Sequence, residues 1–348
     1  MKWKRRYFWF LIVFFTLAIA FFFLFIVPKK LLINNNSFSQ VREKKKNLNI
    51  HILRYEQDLF SLDVHNMDKE IERLSKKYPP LLIEPEIWND KERMNELKAY
   101  LTDTVIISLS KNAEKVIKTN VLLKELEKAF GYYKVFYPND SIPLIITMIS
   151  GLDMTMPSVY IYDNILFVNV DMYLGADNSY YRAAGIPLYI AERCNPVYLP
   201  IDIFKRALVY KYLQNPPRTT LLEVMITEGK KLYFTQMMFP ALHERFIIGY
   251  SEKKYDWAKL HLGNIWNYII EKNELFGKEE ALMRSYIEDA PFTKQFGNDS
   301  PGRLGSFMGW KLIQSYMKNN PNITLPELMQ EFDYQKILNL SKFKPHVK

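Results

Sequence analysis

The sequence predicts an α+β protein, mainly helical with a small central β-sheet, behind one N-terminal transmembrane helix. Three observations support this class. An apolar run without a charge occupies residues 7–27, a block with the composition of strands occupies 143–170, and helical segments separated by Pro and Gly follow Pro187. The predicted organisation has three parts: a membrane anchor at 1–30, a basic polar tether at 31–47 and a globular domain at 48–348.

The apolar run predicts an anchor that stays attached. It contains about 20 residues, and at a rise of about 1.5 Å each a helix of that length crosses the roughly 30 Å core of a bilayer. A cleavable signal peptide has a shorter apolar region, about 7–15 residues, and is the alternative. The lone cysteine, Cys194, lies far from the run, so no thiol is available there for lipid attachment. A single-pass protein is therefore expected.

The charge distribution favours a membrane surface as partner. The formal charge is +9 and the pI about 9.2, and much of the excess lies on the two sides of the apolar run, as at Arg5, Arg6 and residues 42–46. Each such charge contributes about 1 kcal/mol near anionic headgroups. The domain lacks a stripe of Lys and Arg interleaved with aromatic residues, so no nucleic-acid partner is predicted.

Helices are predicted on both sides of a sheet. Asn66 or Asp68 caps a helix that buries Ile71, Leu74 and Tyr78. A second helix runs over 111–130, with Gly131 as its C-cap. Strands follow at 143–149, 159–162 and 165–170, the last two forming a hairpin around Asp163-Asn164. Further helical segments are predicted at 187–194, 201–213, 219–236, 253–274, 278–287, 303–318 and 333–340.

No catalytic residue, metal site or cofactor is predicted. The nearest approach to the zinc motif His-Glu-x-x-His is the segment His243-Glu244-Arg245-Phe246-Ile247, where Ile replaces the second imidazole. Cys194 is interpreted as a buried, inert thiol. The segment from Ser300 to Gly305 does not match a phosphate loop, and a Ser cap, a Pro in the first helical turn and small residues for close packing explain it.

A binding pocket is the remaining candidate site. Acidic residues that lie near element ends or among apolar neighbours are usually paired with a base. Glu228 is predicted to pair with Arg193 or Arg303. The candidate binding residues are Glu228, Asp202, Arg193, Asp171 and Arg303.

Segments spread along the whole domain resemble the GldB family of gliding-motility proteins, in collinear order over residues 50 to 345. They include Ile52-Leu53-Arg54-Tyr55-Glu56-Gln57-Asp58-Leu59-Phe60, Gly151-Leu152-Asp153, Val170-Asp171-Met172-Tyr173-Leu174-Gly175, Met225 to Phe234, Gly249-Tyr250, Ile265-Trp266, Asp289-Ala290-Pro291-Phe292, Ser300-Pro301-Gly302-Arg303 and Gly309-Trp310.

The resemblance implies a cell-envelope protein associated with gliding and with the type IX secretion apparatus of Bacteroidetes, with its domain in the periplasm. Our leading hypothesis is a non-enzymatic envelope component that acts by binding partner proteins of that machinery. Many relatives are lipoproteins, and the predicted anchor without a neighbouring cysteine departs from that pattern. A hydrolase with an acidic pocket and an envelope assembly factor stay open as alternatives.

A weaker resemblance links the C-terminal half to a zinc-peptidase-like fold that has lost its ligands. Residues 219–234 resemble the helix that supplies a Glu ligand, with Glu228 at that position. The preceding segment, 201–213, contains no histidine. The resemblance therefore implies a non-catalytic descendant, a pseudoenzyme.

Overall fold

The computed structural model describes residues 48–78, 90–213 and 218–347. The predicted anchor at 1–30 and tether at 31–47 lie outside these residues. Among the described ranges, no helix combines the length and apolarity needed to cross a bilayer. The α+β prediction is confirmed, because helices dominate and enclose a small mixed sheet.

Four strands form the sheet in the order β1-β2-β4-β3. The pairs β1–β2 and β2–β4 are parallel, and β3–β4 is an antiparallel hairpin. Asp163 (φ 46°) and Asn164 (φ 57°) both take left-handed angles at its turn, as predicted. Of the four strands in the described part of the chain, β1 alone was not predicted from the sequence. The strands span Ile52–Arg54 (β1), Leu144–Met148 (β2), Val159–Tyr162 (β3) and Ile165–Asn169 (β4).

One group of helices lies between β1 and β2, and a second group follows β4. Before β2 lie α1 (Tyr55–Leu59), α2 (Met67–Lys77), α3 (Lys91–Thr102), α4 (Thr104–Val116) and α5 (Thr119–Phe136). After β4 lie α6 (Ser179–Ala183), α7 (Leu188–Ala191), α8 (Tyr198–Asp202), α9 (Leu221–Met238), α10 (Glu244–Ile248), α11 (Glu252–Leu260), α12 (Leu262–Glu271), α13 (Glu280–Ile287), α14 (Leu304–Asn319), α15 (Leu325–Gln330) and α16 (Tyr334–Ser341).

The helix predicted over 111–130 is wrong in both of its bounds. Extended angles at Ile117 and Lys118 separate α4 from α5, and the Ile117 carbonyl accepts a 2.9 Å hydrogen bond from Arg54 instead of closing a helical turn. Gly131 is not a cap but a buried residue inside α5, because Phe130 and Tyr133 carry the apolar face onward.

Two other predicted helices are interrupted. After Asp202 the segment predicted over 201–213 changes to a π-helical turn at Ile203–Ala207 and then to a 3₁₀ turn at Leu208–Lys211. The segment predicted over 253–274 divides at His261 into α11 and α12. The α2 prediction is confirmed, with Ile71, Leu74 and Tyr78 all buried.

Apolar residues cover both faces of the sheet, except at the end of the edge strand β3, where Ile161 and Tyr162 are exposed. Successive residues of its strands alternate between two apolar clusters, so Ile145 and Leu166 join the larger cluster while Ile146 and Phe167 join the smaller. Helices α1 to α3 build the smaller cluster, and the larger one extends through the C-terminal helices. A strand buried on both faces has a continuous apolar sequence, which is why β2 and β4 were predictable.

The start of α14 differs from its prediction. Arg303, at a left-handed φ of 58°, is the residue before the helix. Ser300 is not its cap, because the Ser300 hydroxyl donates to the Gly297 carbonyl (2.7 Å) and accepts from the Thr293 amide (3.1 Å). The prediction of small residues for close packing is confirmed, since a Cβ on Gly305 would lie 2.9 Å from the Cβ of Tyr286.

Candidate functional site

A surface cleft lies where four segments distant in sequence meet. Its empty volume is about 290 Å³, part of it open to solvent. We call it the arginine cleft. Its lining residues are Tyr189, Glu192, Arg193, Gly249, Tyr250, Lys254, Asp289, Ala290, Pro301, Gly302 and Arg303.

Two arginines hold one carboxylate in this cleft. Arg193 Nη2 lies 2.8 Å from Asp289 Oδ2, and Arg303 Nε lies 2.8 Å from Asp289 Oδ1. The arginine side chains are only 11% and 15% exposed, whereas that of Asp289 is 37% exposed. Burial alone would raise the pKa of Asp289, but the charges of Arg303 and Arg193 lower the pKa to about 2. Asp289 is therefore ionised at neutral pH.

Backbone geometry places the two arginines. Arg303 Nη2 donates to the carbonyl oxygen of Ile248 at 2.7 Å, at the C-terminal end of α10. A Cβ on the next residue, Gly249 (φ 80°), would lie 3.1 Å from Cδ of Arg193. The Tyr250 hydroxyl donates to the Gly302 carbonyl at 2.6 Å. The turn after α10 thus binds the Arg303 guanidinium through a carbonyl and leaves room at Gly249 for the Arg193 side chain.

A second ion-pair group adjoins the first. Asp202 lies 3.1 Å from Lys205 Nζ and 3.3 Å from Arg206 Nε, and it accepts a 3.0 Å hydrogen bond from the Tyr173 hydroxyl. Lys205 Nζ also reaches the carbonyl of Ile247, one residue before the carbonyl that Arg303 contacts. Burial lowers the pKa of Lys205 to about 8, with the nearby arginines adding to the effect and Asp202 opposing it.

Positive charge exceeds negative charge in the combined group. Arg193 Nη1 is buried and makes no hydrogen bond within the described residues. Lys254 and Glu192, at the cleft wall, add one charge of each sign. A desolvated excess of cations is costly unless an anion compensates it. In these ion pairs four basic residues share two carboxylates. The basic residues are Arg193, Lys205, Arg206 and Arg303, and the carboxylates belong to Asp202 and Asp289.

Comparison with known proteins identifies the family. The sequence profile described as gliding motility protein GldB matches residues 36–345. The chain belongs to the GldB family. The match confirms the resemblance seen in the sequence, and GldB membership indicates an envelope component associated with gliding motility. No curated protein and no solved structure matches the chain, so the zinc-peptidase-like fold stays a prediction.

Three of the segments that carry the GldB resemblance converge on the arginine cleft. They are Gly249-Tyr250, Asp289-Ala290 and Pro301-Gly302-Arg303. Each supplies either a charged group or the backbone that supports one. In this GldB family member the cleft therefore joins parts of the sequence that are far apart along the chain.

The structure brings three of the five predicted binding residues into one region. Arg193 and Arg303 share Asp289, and Asp202 belongs to the adjoining group. Asp171 forms its hydrogen bonds with other residues. It is buried and accepts hydrogen bonds from the amides of Ser150 (3.0 Å) and Leu152 (2.8 Å), so it stabilises the turn after β2. Burial raises the pKa of Asp171.

The predicted partner of Glu228 is wrong. Glu228 Oε1 pairs at 2.6 Å with Lys231 Nζ on the same helix, and neither Arg193 nor Arg303 contacts it. Residues three apart are neighbours on a helix surface, so the local partner is the nearer one. Lys231 also donates to the hydroxyl of Tyr210 at 2.9 Å. Glu228 therefore lies outside the arginine cleft.

Asp289, Lys205 and Arg206 were missed from the sequence. Lys205 and Arg206 follow Asp202 at positions i+3 and i+4, a spacing that signals helical ion pairs. Asp289 lies between α13 and a Pro, where an acidic residue has the appearance of an ordinary loop residue. Its importance depends on Arg193 and Arg303, which are distant in sequence.

Cys194 and His243, the residues considered as a nucleophile and as a metal ligand, have structural roles. Burial raises the pKa of Cys194 to about 11, which keeps the thiol protonated. His243 Nδ1 accepts from the amide of Arg245 at 3.2 Å and caps α10. Over residues 48–78, 90–213 and 218–347, no three His, Cys, Asp or Glu side chains are grouped to hold a metal.

Proposed function

We propose that this chain is a non-enzymatic component of the gliding-motility and type IX secretion-associated machinery that acts by binding partner proteins at the arginine cleft. The observation that supports the site is the pairing of two nearly buried arginines with one partly exposed carboxylate, Asp289. A carboxylate with a pKa of about 2 is a poor general acid at neutral pH, whereas a fixed arginine pair suits recognition.

The proposal includes residues 1–30 as a single-pass anchor that keeps the domain in the periplasm. Intact-mass measurement of the purified chain tests the anchor, and the expected mass includes residues 7–27. A mature chain that begins near residue 21 or 28 would contradict it. Protease accessibility of the domain in spheroplasts, compared with intact cells, tests the side of the membrane.

Cross-linking in cells of the source organism tests the partner-binding role. The chain carries an affinity tag after Lys348, is cross-linked, extracted from membranes and purified, and the attached proteins are identified by mass spectrometry. We expect a reproducible set of envelope proteins of the motility or secretion machinery, and loss of gliding on deletion of the chain. Recovery of the chain alone after cross-linking would overturn the proposal.

A further inference from the structure

We propose that the arginine cleft receives a carboxylate group of a partner protein, either an Asp or Glu side chain or a chain terminus. The incoming group shares Arg193 and Arg303 with Asp289 or replaces it. That a partner protein carries this carboxylate rests on the proposed function. The chemistry of the site rests on its geometry alone.

Asp289, which already pairs with both arginines, shows that a carboxylate fits between them. Both oxygens of Asp289 are used, one by each arginine, at 2.8 Å. Guanidinium groups held in this way match the planar, two-oxygen shape of a carboxylate. A second carboxylate can reach the same arginines, because Asp289 lines the cleft and is the most exposed of the three side chains.

The site also has unused capacity for an anion. Arg193 Nη1 is buried without a hydrogen-bond partner among the described residues. The neighbouring Lys205 and Arg206 share a single carboxylate, that of Asp202. A second negative charge in the cleft would offset the excess positive charge.

Apolar surface beside the cleft favours a protein as the source of the carboxylate. Tyr189 lines the cleft, and its neighbour Leu188 on α7 is 74% exposed. A small free anion would leave this surface in water, whereas the residues that flank an acidic side chain can cover it.

The first experiment measures whether the arginines accept an external carboxylate. Asp289→Ala, made in the full chain in detergent, removes the internal occupant, and acetate is added at constant ionic strength with chloride as reference. We expect acetate to raise the melting temperature of Asp289→Ala by at least about 2 °C, in a saturable manner. Wild type should respond less, because Asp289 competes.

Two comparisons make this result specific. The double variant Arg193→Gln/Asp289→Ala should lose the response to acetate, whereas Arg73→Gln/Asp289→Ala should keep it, since Arg73 pairs with Glu70 on α2. Absence of an acetate response in Asp289→Ala, or an equal response in the Arg193 double variant, would overturn the proposal. Stabilisation by inorganic phosphate but not by acetate would assign a phosphate ligand and also overturn it.

The second experiment separates this inference from the proposed function. The cross-linked yield of partner proteins is compared for wild type, Arg193→Gln, Arg193→Lys and Arg73→Gln, with each chain shown to be folded by circular dichroism. We expect at least a tenfold loss for Arg193→Gln and no loss for Arg73→Gln. Equal yields from wild type and Arg193→Gln would overturn the carboxylate inference and the assignment of partner binding to the arginine cleft, but not the partner-binding role itself. Absence of partners from wild type would overturn the proposed function, whatever acetate does.

Discussion

Gly229 of α9 and Gly309 of α14 lie against each other at the backbone. A Cβ on Gly229 would come within 2.3 Å of the carbonyl carbon of Gly309, and a Cβ on Gly309 within 1.7 Å of the carbonyl oxygen of Met225. The two longest helices of the C-terminal half therefore cross without side chains between them. This crossing requires glycine at both positions.

Gly309→Ala should destabilise the domain by about 3 kcal/mol or more, because rigid backbone atoms block the added methyl group. Gly305→Ala, one turn earlier on α14, is the control. Its Cβ would meet mainly side-chain atoms, at 2.9 Å from Tyr286 and Ile287, so a smaller loss is expected. Urea denaturation followed by circular dichroism gives both free energies of unfolding. Equal losses would contradict the backbone contact.

A buried ion pair fixes the end of β1. Arg54 Nε lies 2.6 Å from Glu56 Oε1, and the Thr147 hydroxyl donates to the other oxygen of Glu56 at 2.6 Å. Glu56→Gln should cost about 3 kcal/mol or more, because it leaves the charge of Arg54 unpaired. Arg54→Met/Glu56→Gln should lose less than the sum of the two single variants. Additive losses in urea denaturation would show that the pair is not coupled.

Asp289 should make the free energy of unfolding depend on pH in the acid range. Its pKa is about 2 in the folded chain against an ordinary value near 3.8, so its contribution is present above about pH 4 and is lost as the pH falls towards 2. After discounting for its partial exposure, that contribution is about 1 kcal/mol. The difference in unfolding free energy between wild type and Asp289→Asn should shrink over this range. A pH-independent difference would contradict the arginine pairing.

Glu228→Gln should cost about 1 kcal/mol through loss of the charged partner of Lys231. The matched control is Glu125→Gln, which removes another Glu–Lys pair of the same i,i+3 spacing, with Lys128, on an exposed helix face. That variant should change the free energy of unfolding by less than about 0.5 kcal/mol. Cross-linking of partners per folded molecule should be unchanged by Glu228→Gln, and its loss would return Glu228 to the functional site.

The sequence predicted those helices and strands whose formation depends on neighbouring residues. The hairpin at Asp163-Asn164, the three strands around it and α2 follow from turn chemistry and apolar periodicity. The break between α4 and α5 did not, because it depends on Arg54, which takes the Ile117 carbonyl from another part of the chain.

The candidate site was predictable only in part for the same reason. Asp202 was predicted from its apolar surroundings, which are a local signal, and Arg193 and Arg303 were predicted as basic partners of buried acids. The assignment of Asp289 to both arginines requires four segments to meet, and no spacing in the sequence encodes that meeting. The prediction paired Glu228 with a distant arginine, whereas its partner in the structure is Lys231, one helical turn away.

The strand order has a consequence for the course of folding. The hairpin β3–β4 closes over two residues, and β2 precedes it by a short connection, so these three strands can pair early. Strand β1 pairs in parallel with β2, joining Ile52 to Ile145 across an interval that contains five helices in its described part. Closing so long a loop carries a large entropic cost before any contact repays it. We therefore expect β1, the first of the described strands, to join the sheet last, which would leave the edge of β2 open to pairing with other chains until then.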